Sequence, residues 1–441
     1  MSKQSAGAEL RVVVLIQENK TPDFYFRSMA DFGAEITGYT SVLPAAPNYD
    51  QPNDRNAWVH FRMGDYPAVH TQIDSDTLIP FYAWLAKTFT FCDHHFGVGS
   101  NSTSGHMLAI GGQAATLKNP AFGAGGPQWD MPTILVHAER AGITWAAIPD
   151  QDHYPTKFYT ELDTSSRTAN IHPVSAGTPD PFVALVHAGT LPQLVYAWSP
   201  AGHDEHPPFR TSDPGYLQRG HDFIWQRVDA VVKGGQWATT TFILTWDDWG
   251  GYADHVGTPV VYTVPDALHP NGFAVIGGSR LPLLMFGGRV RQGVDNRWDS
   301  HASIPKTVLD LFGLPPLGVP AVDAAPSLAD RVDPQLSRTG PPAFGSTITQ
   351  PAPPSPPPSP VPAPPWTGPA NQPLPRVILN GGKTSPPPAD GVVHPIHPNH
   401  HPKRRLARDE TGVRAQSDTV GATVSSERAP RLASPPPPSN T

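Results

Sequence analysis

Proline sets the outer limit on what this chain can fold. Of its 55 prolines, 26 fall in the 101 residues from Pro341 to Thr441, in runs such as PAPPSPPPSPVPAPP and SPPPP. Proline has no amide proton to give a helix or an interior strand, and such runs favour an extended, solvated polyproline conformation. Too little apolar sequence remains there to offset chain entropy, so residues 336–441 are expected to be a disordered tail and residues 1–335 to hold the fold. The tail carries 9 Lys+Arg and 5 Asp+Glu, the preceding 340 residues 22 and 33, so an acidic body (22 − 33 = −11) bears a weakly basic tail (9 − 5 = +4). An acidic body argues against nucleic acid as a partner, because phosphate contacts need concentrated positive charge. Cys92 is the one cysteine, which excludes a disulfide scaffold. No run of about 20 apolar residues is present, so no integral membrane segment is expected. The apolar run at 12–16 is followed at once by Gln17 and Glu18, too short for a secretory leader and right for a first strand. A cytoplasmic location is the default, with export by another route left open.

Within residues 1–335, short uninterrupted apolar runs alternate with helix-length segments, the pattern of a sheet covered by helices. Strands are expected at 11–16 (RVVVLI), 143–148 (ITWAAI), 194–198 (LVYAW), 241–246 (TFILTW) and 281–286 (LPLLMF). Strands apolar on both faces belong to a parallel sheet covered on both sides. Leu217, Phe223, Ile224, Val228, Val231 and Val232 recur at helical spacing over 216–233. A second helix is expected at 303–312, stopped by Gly313 and Pro315. The expected fold is a three-layer α/β/α sandwich.

Four polar clusters interrupt this pattern. Gln17-Glu18-Asn19 and Asp247-Asp248 each follow a strand directly, and ligand crevices in open α/β sheets lie at the carboxyl ends of strands. If the two strands are neighbours, three carboxylates and an amide oxygen converge, a hard-oxygen set suited to a divalent cation. Read alone, the same residues also suit helix caps or a solvated loop. The third cluster runs from Asp93 to His106 and includes Asn101-Ser102-Thr103-Ser104-Gly105. It offers hydroxyl nucleophiles that need a base or a metal to activate them, or it is a plain polar loop. The fourth is His203-Asp204-Glu205-His206, whose histidines suit either an oxyanion, a metal or the surface.

In combination these clusters resemble the bacterial phospholipase C and acid phosphatase (phosphoesterase) family of the alkaline phosphatase superfamily. QENKTPDFYF is similar to that family's opening motif, NSTSGHM to its nucleophile loop, HDEHPP to a middle segment, and TWDDWGGYADHV to its Asp-rich motif. RLPLLMFGGRVRQGV and DSHASIPKTVLDLFGLPPL look like its late strand and closing helix. The resemblance implies an alkaline phosphatase-like fold over residues 1–335 and a divalent metal ion held by Glu18, Asn19, Asp247 and Asp248. It places the nucleophile at Ser102, or at Thr103 if the register shifts by one. It further implies catalytic roles for His203, His206 and His255, and substrate-site positions for His106, Asp204, Asp254 and His301. The chain departs from the family pattern at Ser100-Asn101, where Gly-Pro is usual, at Ser104-Gly105 in place of Pro-Asn, and at Asp248, often Glu.

The resemblance implies metal-dependent hydrolysis of a phosphoric ester through a phosphoseryl intermediate, by a phospholipase C-like phosphodiesterase or a phosphatase. Phospholipid is one substrate class within that expectation. A metal-independent serine esterase is a weaker reading, since the chain has no G-x-S-x-G elbow. An interaction protein, with an inactive body and a tail that binds polyproline-recognising domains, is the third. Trp246, Trp249, Tyr252 and Trp298 near the Asp-rich motif suit core packing, or else a choline-like cation.

Overall fold

The computed structural model describes residues 10–341 apart from 40–41, 44–46, 48–49, 63–70, 118, 121–126, 209–212, 214, 257–259 and 265–272, and beyond 341 only 376–379 and 383–385. The strands that build and flank the main sheet are β1 (Arg11–Gln17), β2 (Thr90–Cys92), β3 (His95–Val98), β4 (Trp145–Ile148), β5 (Leu194–Trp198), β6 (Thr240–Trp246), β7 (Phe273–Arg280), β8 (Leu283–Gly287), β9 (Gly293–Asp295) and β10 (Asp299–Ser300); shorter ones include Val42–Leu43, Gln72–Ile73, Gln128–Asp130 and Val260–Val264. Seven of them form one sheet in the order β9-β2-β8-β6-β1-β5-β4. β1 lies in its interior, parallel to β5 on one side and β6 on the other, with Ile16 level with Trp198 and Gln17 level with Trp246. Every residue of β6, and every residue of β1 after Arg11, is buried. That burial accounts for the apolar runs that mark both strands in the sequence.

The expectation of a wholly parallel sheet fails at one strand. β8 pairs antiparallel with β6, Leu283 against Thr245 and Gly287 against Thr241. After β6 the chain meets no helix among the described residues before β8. Without a crossover helix it is not carried back to the starting edge, and it re-enters from the end at which β6 left. β7, in the intervening stretch, pairs antiparallel with β3, which also pairs parallel with β10.

The helices that cover the sheet are α1 (Pro80–Thr88), α2 (Ser102–Gly111), α3 (Ile134–Arg140), α4 (Pro181–His187), α5 (Tyr216–Lys233) and α6 (Ser303–Phe312). α5 and α6 have the expected bounds, and α6 ends on Gly313 in the left-handed conformation at φ 64°. Polar contacts identify the two covering layers. On one face Tyr196 donates to Ala109 O of α2 at 3.1 Å, and Trp198 reaches His106 of the same helix. On the other face Gln17 lies against Tyr82 of α1 and Gly220 of α5. The three-layer α/β/α sandwich is as expected. Most of the proline-rich segment lies outside the described residues; within it, Arg376–Leu379 pairs antiparallel with Lys383–Ser385 and with Gln128–Asp130.

Candidate active site

Adjacent strands deliver adjacent loops. Because β1 lies between β5 and β6, the segments that leave their carboxyl ends are locked together by the backbone: Asp247 N donates to Gln17 O at 3.0 Å, and Glu18 N to Asp204 O at 2.8 Å. Asn19 N donates to Asp247 Oδ1 at 2.8 Å. Asn19 and Glu205 take positive φ angles of 65° and 69°, a conformation that is uncommon for Glu and concentrated at functional loops.

Four oxygen-bearing side chains meet there. Ser102, the first residue of α2, donates its hydroxyl to Glu18 Oε2 and to Asp248 Oδ2, each at 3.2 Å. Burial pushes the Glu18 carboxyl well above its usual range, and the charges of Asp247, Asp204 and Asp248 add to it. Asp248 is raised for the same reasons, burial first and Asp247 second. Asp247 is fully buried, and its Oδ2 has no hydrogen-bond partner.

The donor set fits a divalent cation. The Asn19 amide lies against Asp248, its nitrogen donating to the two carboxylate oxygens at 2.6 and 3.1 Å and its oxygen accepting from His206 Nε2 at 3.0 Å. His206 Nδ1 faces Pro207 O at 2.7 Å. The partnerless, buried Oδ2 of Asp247 beside the Glu18 and Asp248 carboxylates is what a cation would satisfy. Holding it with Asn19 as well would require this amide to turn its oxygen toward the carboxylates.

His106 serves this group from below. Trp198 Nε1–H can only donate, and it reaches His106 Nδ1 at 3.2 Å. The imidazole proton therefore sits on Nε2, which lies 3.1 Å from Glu18 Oε1. Burial holds His106 down at about 4, against the pull of Asp247, so it is neutral. His106, Glu18 and Asp247 have ligand atoms within 4.8 Å of one another, but this tautomer makes His106 a donor to Glu18 and leaves the oxygens to face the metal.

The remaining sequence-derived candidates divide. Thr103 is fully buried, and its hydroxyl meets Tyr154 Oη at 3.1 Å rather than any carboxylate of the cluster. Asp204 accepts from His206 N at 3.1 Å and lies at the rim. His203 packs its ring on Phe223 of α5, centroids 5.3 Å apart, and makes no hydrogen bond to the cluster. Asp254 and His255 belong to a separate group around the buried Arg280 guanidinium, which donates to Asp254 Oδ1 at 2.8 Å and to Asp23 Oδ1 at 3.0 Å. His255 Nδ1 lies 2.7 Å from Asp23 Oδ2, which raises its proton affinity. Asp23, Asp254 and His255 have the spacing of metal ligands, yet Arg280 already balances their charge. His301 is fully buried behind the site, Nε2 on Trp246 O at 2.9 Å, and burial pushes it down to about 3. In this position it has no exposed face to offer a substrate. Trp246, Trp249 and Tyr252 are buried as core, while Trp298, half-buried, stacks on Phe96 at 4.8 Å.

Sequence reasoning passed over Lys20, Glu205, Tyr154 and Arg280. Lys20 is fully buried, and burial brings its ammonium down to about 8 against the pull of Glu205 and the cluster. Lys20 and Glu205 stand inside the QENK and HDEH motifs themselves. Tyr154 follows the polar run Asp150-Gln151-Asp152-His153 after β4, and Arg280 ends β7 in a segment with no polar clustering; neither signal points to the site, so only the fold exposes them.

A family model described as the Phosphoesterase family matches residues 53–315 of this chain. Ser102, Asp247 and Asp248 fall inside that span, and Glu18 and Asn19 precede it. The non-specific phospholipase C3 of Arabidopsis thaliana is 26% identical over 264 residues, 54% of this chain and 47% of that protein. The non-hemolytic phospholipase C of Pseudomonas aeruginosa is 24% identical over 300 residues, 56% of this chain and 43% of that protein. The chain thus spans about half the length of the curated relatives it matches. Among solved structures, a protein of the alkaline phosphatase superfamily from Vibrio parahaemolyticus aligns with a TM-score of 0.39 and 13% identity, covering 72% of this chain and 69% of that one.

Proposed function

Since the chain belongs to the Phosphoesterase family, we propose that it hydrolyses phosphoric esters with a divalent cation bound, through a phosphoseryl intermediate on Ser102. The observation that carries this reading is the Ser102 hydroxyl, 3.2 Å from both Glu18 and Asp248 at the N-terminus of α2. Glu18, Asn19, Asp247 and Asp248 would hold the cation. Bound there, it supplies a Lewis acid that lowers the pKa of the serine hydroxyl and offsets charge on the phosphoryl oxygens.

The protein's own groups do the rest. Ser102 Oγ attacks phosphorus in line, its O–P bond forming as the bond to the leaving alcohol breaks, and its proton passes to the carboxylates it already hydrogen-bonds. The positive end of the α2 dipole favours the anionic phosphoryl group at that position. His206, whose Nε2 donates to the Asn19 amide oxygen at the rim, is placed to pass that proton to the leaving oxygen. Water then attacks phosphorus and gives its proton to solvent; the Ser102–phosphorus bond breaks, the serine oxygen takes back the proton left on the carboxylate, and phosphate or a phosphomonoester is released. The substrate class we favour is the phosphodiester of a phospholipid, on the strength of the relatives' names. Among the described residues no helix is long and apolar enough to cross a membrane.

The test is hydrolysis of p-nitrophenyl phosphate and p-nitrophenyl phosphorylcholine, each with Mn²⁺, Ca²⁺, Mg²⁺ or Zn²⁺ and each with EDTA. Turnover that needs a cation and disappears in Ser102→Ala supports the reading, and the preferred substrate separates monoesterase from diesterase. Turnover unchanged by EDTA would remove the cation from it.

A further inference from the structure

Directly beneath the oxygen cluster lies a buried cation that belongs to the protein itself. Lys20 Nζ donates to Glu205 O at 2.8 Å and to Glu18 O at 3.2 Å. Three tyrosine rings enclose it, with centroids 5.6 Å away for Tyr25, 5.6 Å for Tyr216 and 5.4 Å for Tyr252. Such rings attract an ammonium through their faces, most strongly when it is desolvated. Lys20 thus clips the carbonyl of Glu18 to the carbonyl of Glu205.

Glu205 extends the clip to both strands. It is fully buried, and its carboxylate accepts from Tyr82 Oη at 2.6 Å, Tyr25 Oη at 2.8 Å, Trp246 Nε1 at 2.8 Å and Gln17 Nε2 at 3.2 Å. Gln17 is the last residue of β1 and Trp246 the last of β6. Each immediately precedes a residue of the cluster, Glu18 and Asp247. A carboxylate held by four neutral donors fixes those two strand ends relative to each other, and the ammonium supplies the nearby opposite charge that makes its burial tolerable.

We propose that Lys20 and Glu205 are positioning residues that set the spacing of Glu18 and Asp247, and through it the site's affinity for its cation. The proposal rests on the reading of that cluster as a cation site. Outer partners of metal ligands typically change metal affinity by about 10- to 100-fold when removed.

The experiment is calorimetric titration of the full chain with Mn²⁺ alone, with Ca²⁺ as a second probe, alongside kcat, KM and thermal unfolding. The variants are Lys20→Met, which fills the tyrosine cage without charge, Lys20→Arg, which keeps the charge, and Glu205→Gln. The expected result is Mn²⁺ affinity about 10- to 100-fold weaker in Lys20→Met and in Glu205→Gln. kcat falls with it and KM stays within about threefold, whereas Lys20→Arg recovers at least part of the affinity. If Lys20→Met fails to fold, Lys20→Arg and Glu205→Gln carry the measurement. Affinity within about twofold of the parent in the folded variants overturns the proposal and leaves the cation reading intact. Loss equal in Met and Arg, tracking the melting temperature alone, reduces the pair to a structural role and also overturns it. A parent protein that binds neither ion overturns both.

Discussion

Gly105 sits inside α2, one turn after Ser102, and a methyl group there has nowhere to go. A Cβ built on Gly105 falls 2.0 Å from Asp247 O, 2.8 Å from Asp247 C and 3.2 Å from Asp247 Cα. Ordinary contact begins near 3.4 Å, so the helix and the Asp247 backbone must part by about 1.4 Å (3.4 − 2.0). Backbone on both sides leaves no flexible side chain to give way. In an unobstructed helix Gly→Ala stabilises by roughly 1 kcal/mol; here overpacking, about 3 kcal/mol at its upper range, outweighs that and leaves a net loss of about 2 kcal/mol. The same displacement pulls Ser102 from Glu18 and Asp248, and a misplacement of about 1 Å costs on the order of 10²-fold in rate. Gly105→Ala should therefore lower the urea midpoint and reduce kcat on the better p-nitrophenyl ester about a hundredfold, with the fold retained by circular dichroism. A variant that is more stable than the parent and equally active would refute the argument, because helix propensity would then have acted without a clash.

Three further outcomes follow from the geometry. Ser102→Ala should abolish turnover of both chromogenic esters, while Thr103→Val, whose hydroxyl serves Tyr154, should keep kcat within about tenfold. Loss in Thr103→Val with retention in Ser102→Ala would move the nucleophile. Removing the Arg280 guanidinium strands Asp23 and Asp254, so Arg280→Met should cost about 3–5 kcal/mol in urea unfolding. A loss below 1 kcal/mol would count against the balance of charge described there. Asp295 gives the acid limb: burial alone would raise its carboxyl, but hydrogen bonds from Arg297 and Arg331 outweigh burial and hold it at about 2. Its folded value lies below the unfolded one, so its contribution is present above about pH 4 and is lost as pH falls toward 2. Asp295→Asn should thus cost about 2 kcal/mol at pH 7 and measurably less at pH 3; a cost independent of pH would contradict the assignment.

How far the sequence reveals this molecule depends on the range of each signal. Hydrophobic runs identify β1, β5, β6, α5 and α6 because burial acts residue by residue. The direction of β8 is not local, since it depends on whether a helix intervenes after β6. Glu18, Asn19, Asp247 and Asp248 are legible as a group because position after a strand is a topological fact, and topology brings neighbouring strand ends together. His203, Asp254, His255 and His301 carry the same residue types, but packing and hydrogen bonding turn them to Phe223, Arg280, Asp23 and Trp246 O. Ser102 and Thr103 are indistinguishable by chemistry, and the helix phase alone separates them. The Ser104-Gly105 pair, a departure from the family loop, also has a physical meaning only in three dimensions: the approach of Asp247 O excludes a side chain at the second position.

The strand flanked by β5 and β6 is also the sheet's first in sequence. Val12 pairs with Leu194 on one side and with Thr241 on the other, so during synthesis β1 emerges long before either partner exists. Its apolar residues must wait, exposed or loosely collapsed, until β6 leaves the ribosome. Contacts this distant along the chain make folding slow and leave a growing chain vulnerable to association. The active site inherits the same timetable. Glu18 is among the first functional groups made and Asp247 among the last, so no amino-terminal fragment that stops short of β6 contains even half of the carboxylate set in place. Nascent chains of increasing length should gain protease resistance abruptly, once β6 has cleared the exit tunnel, rather than helix by helix.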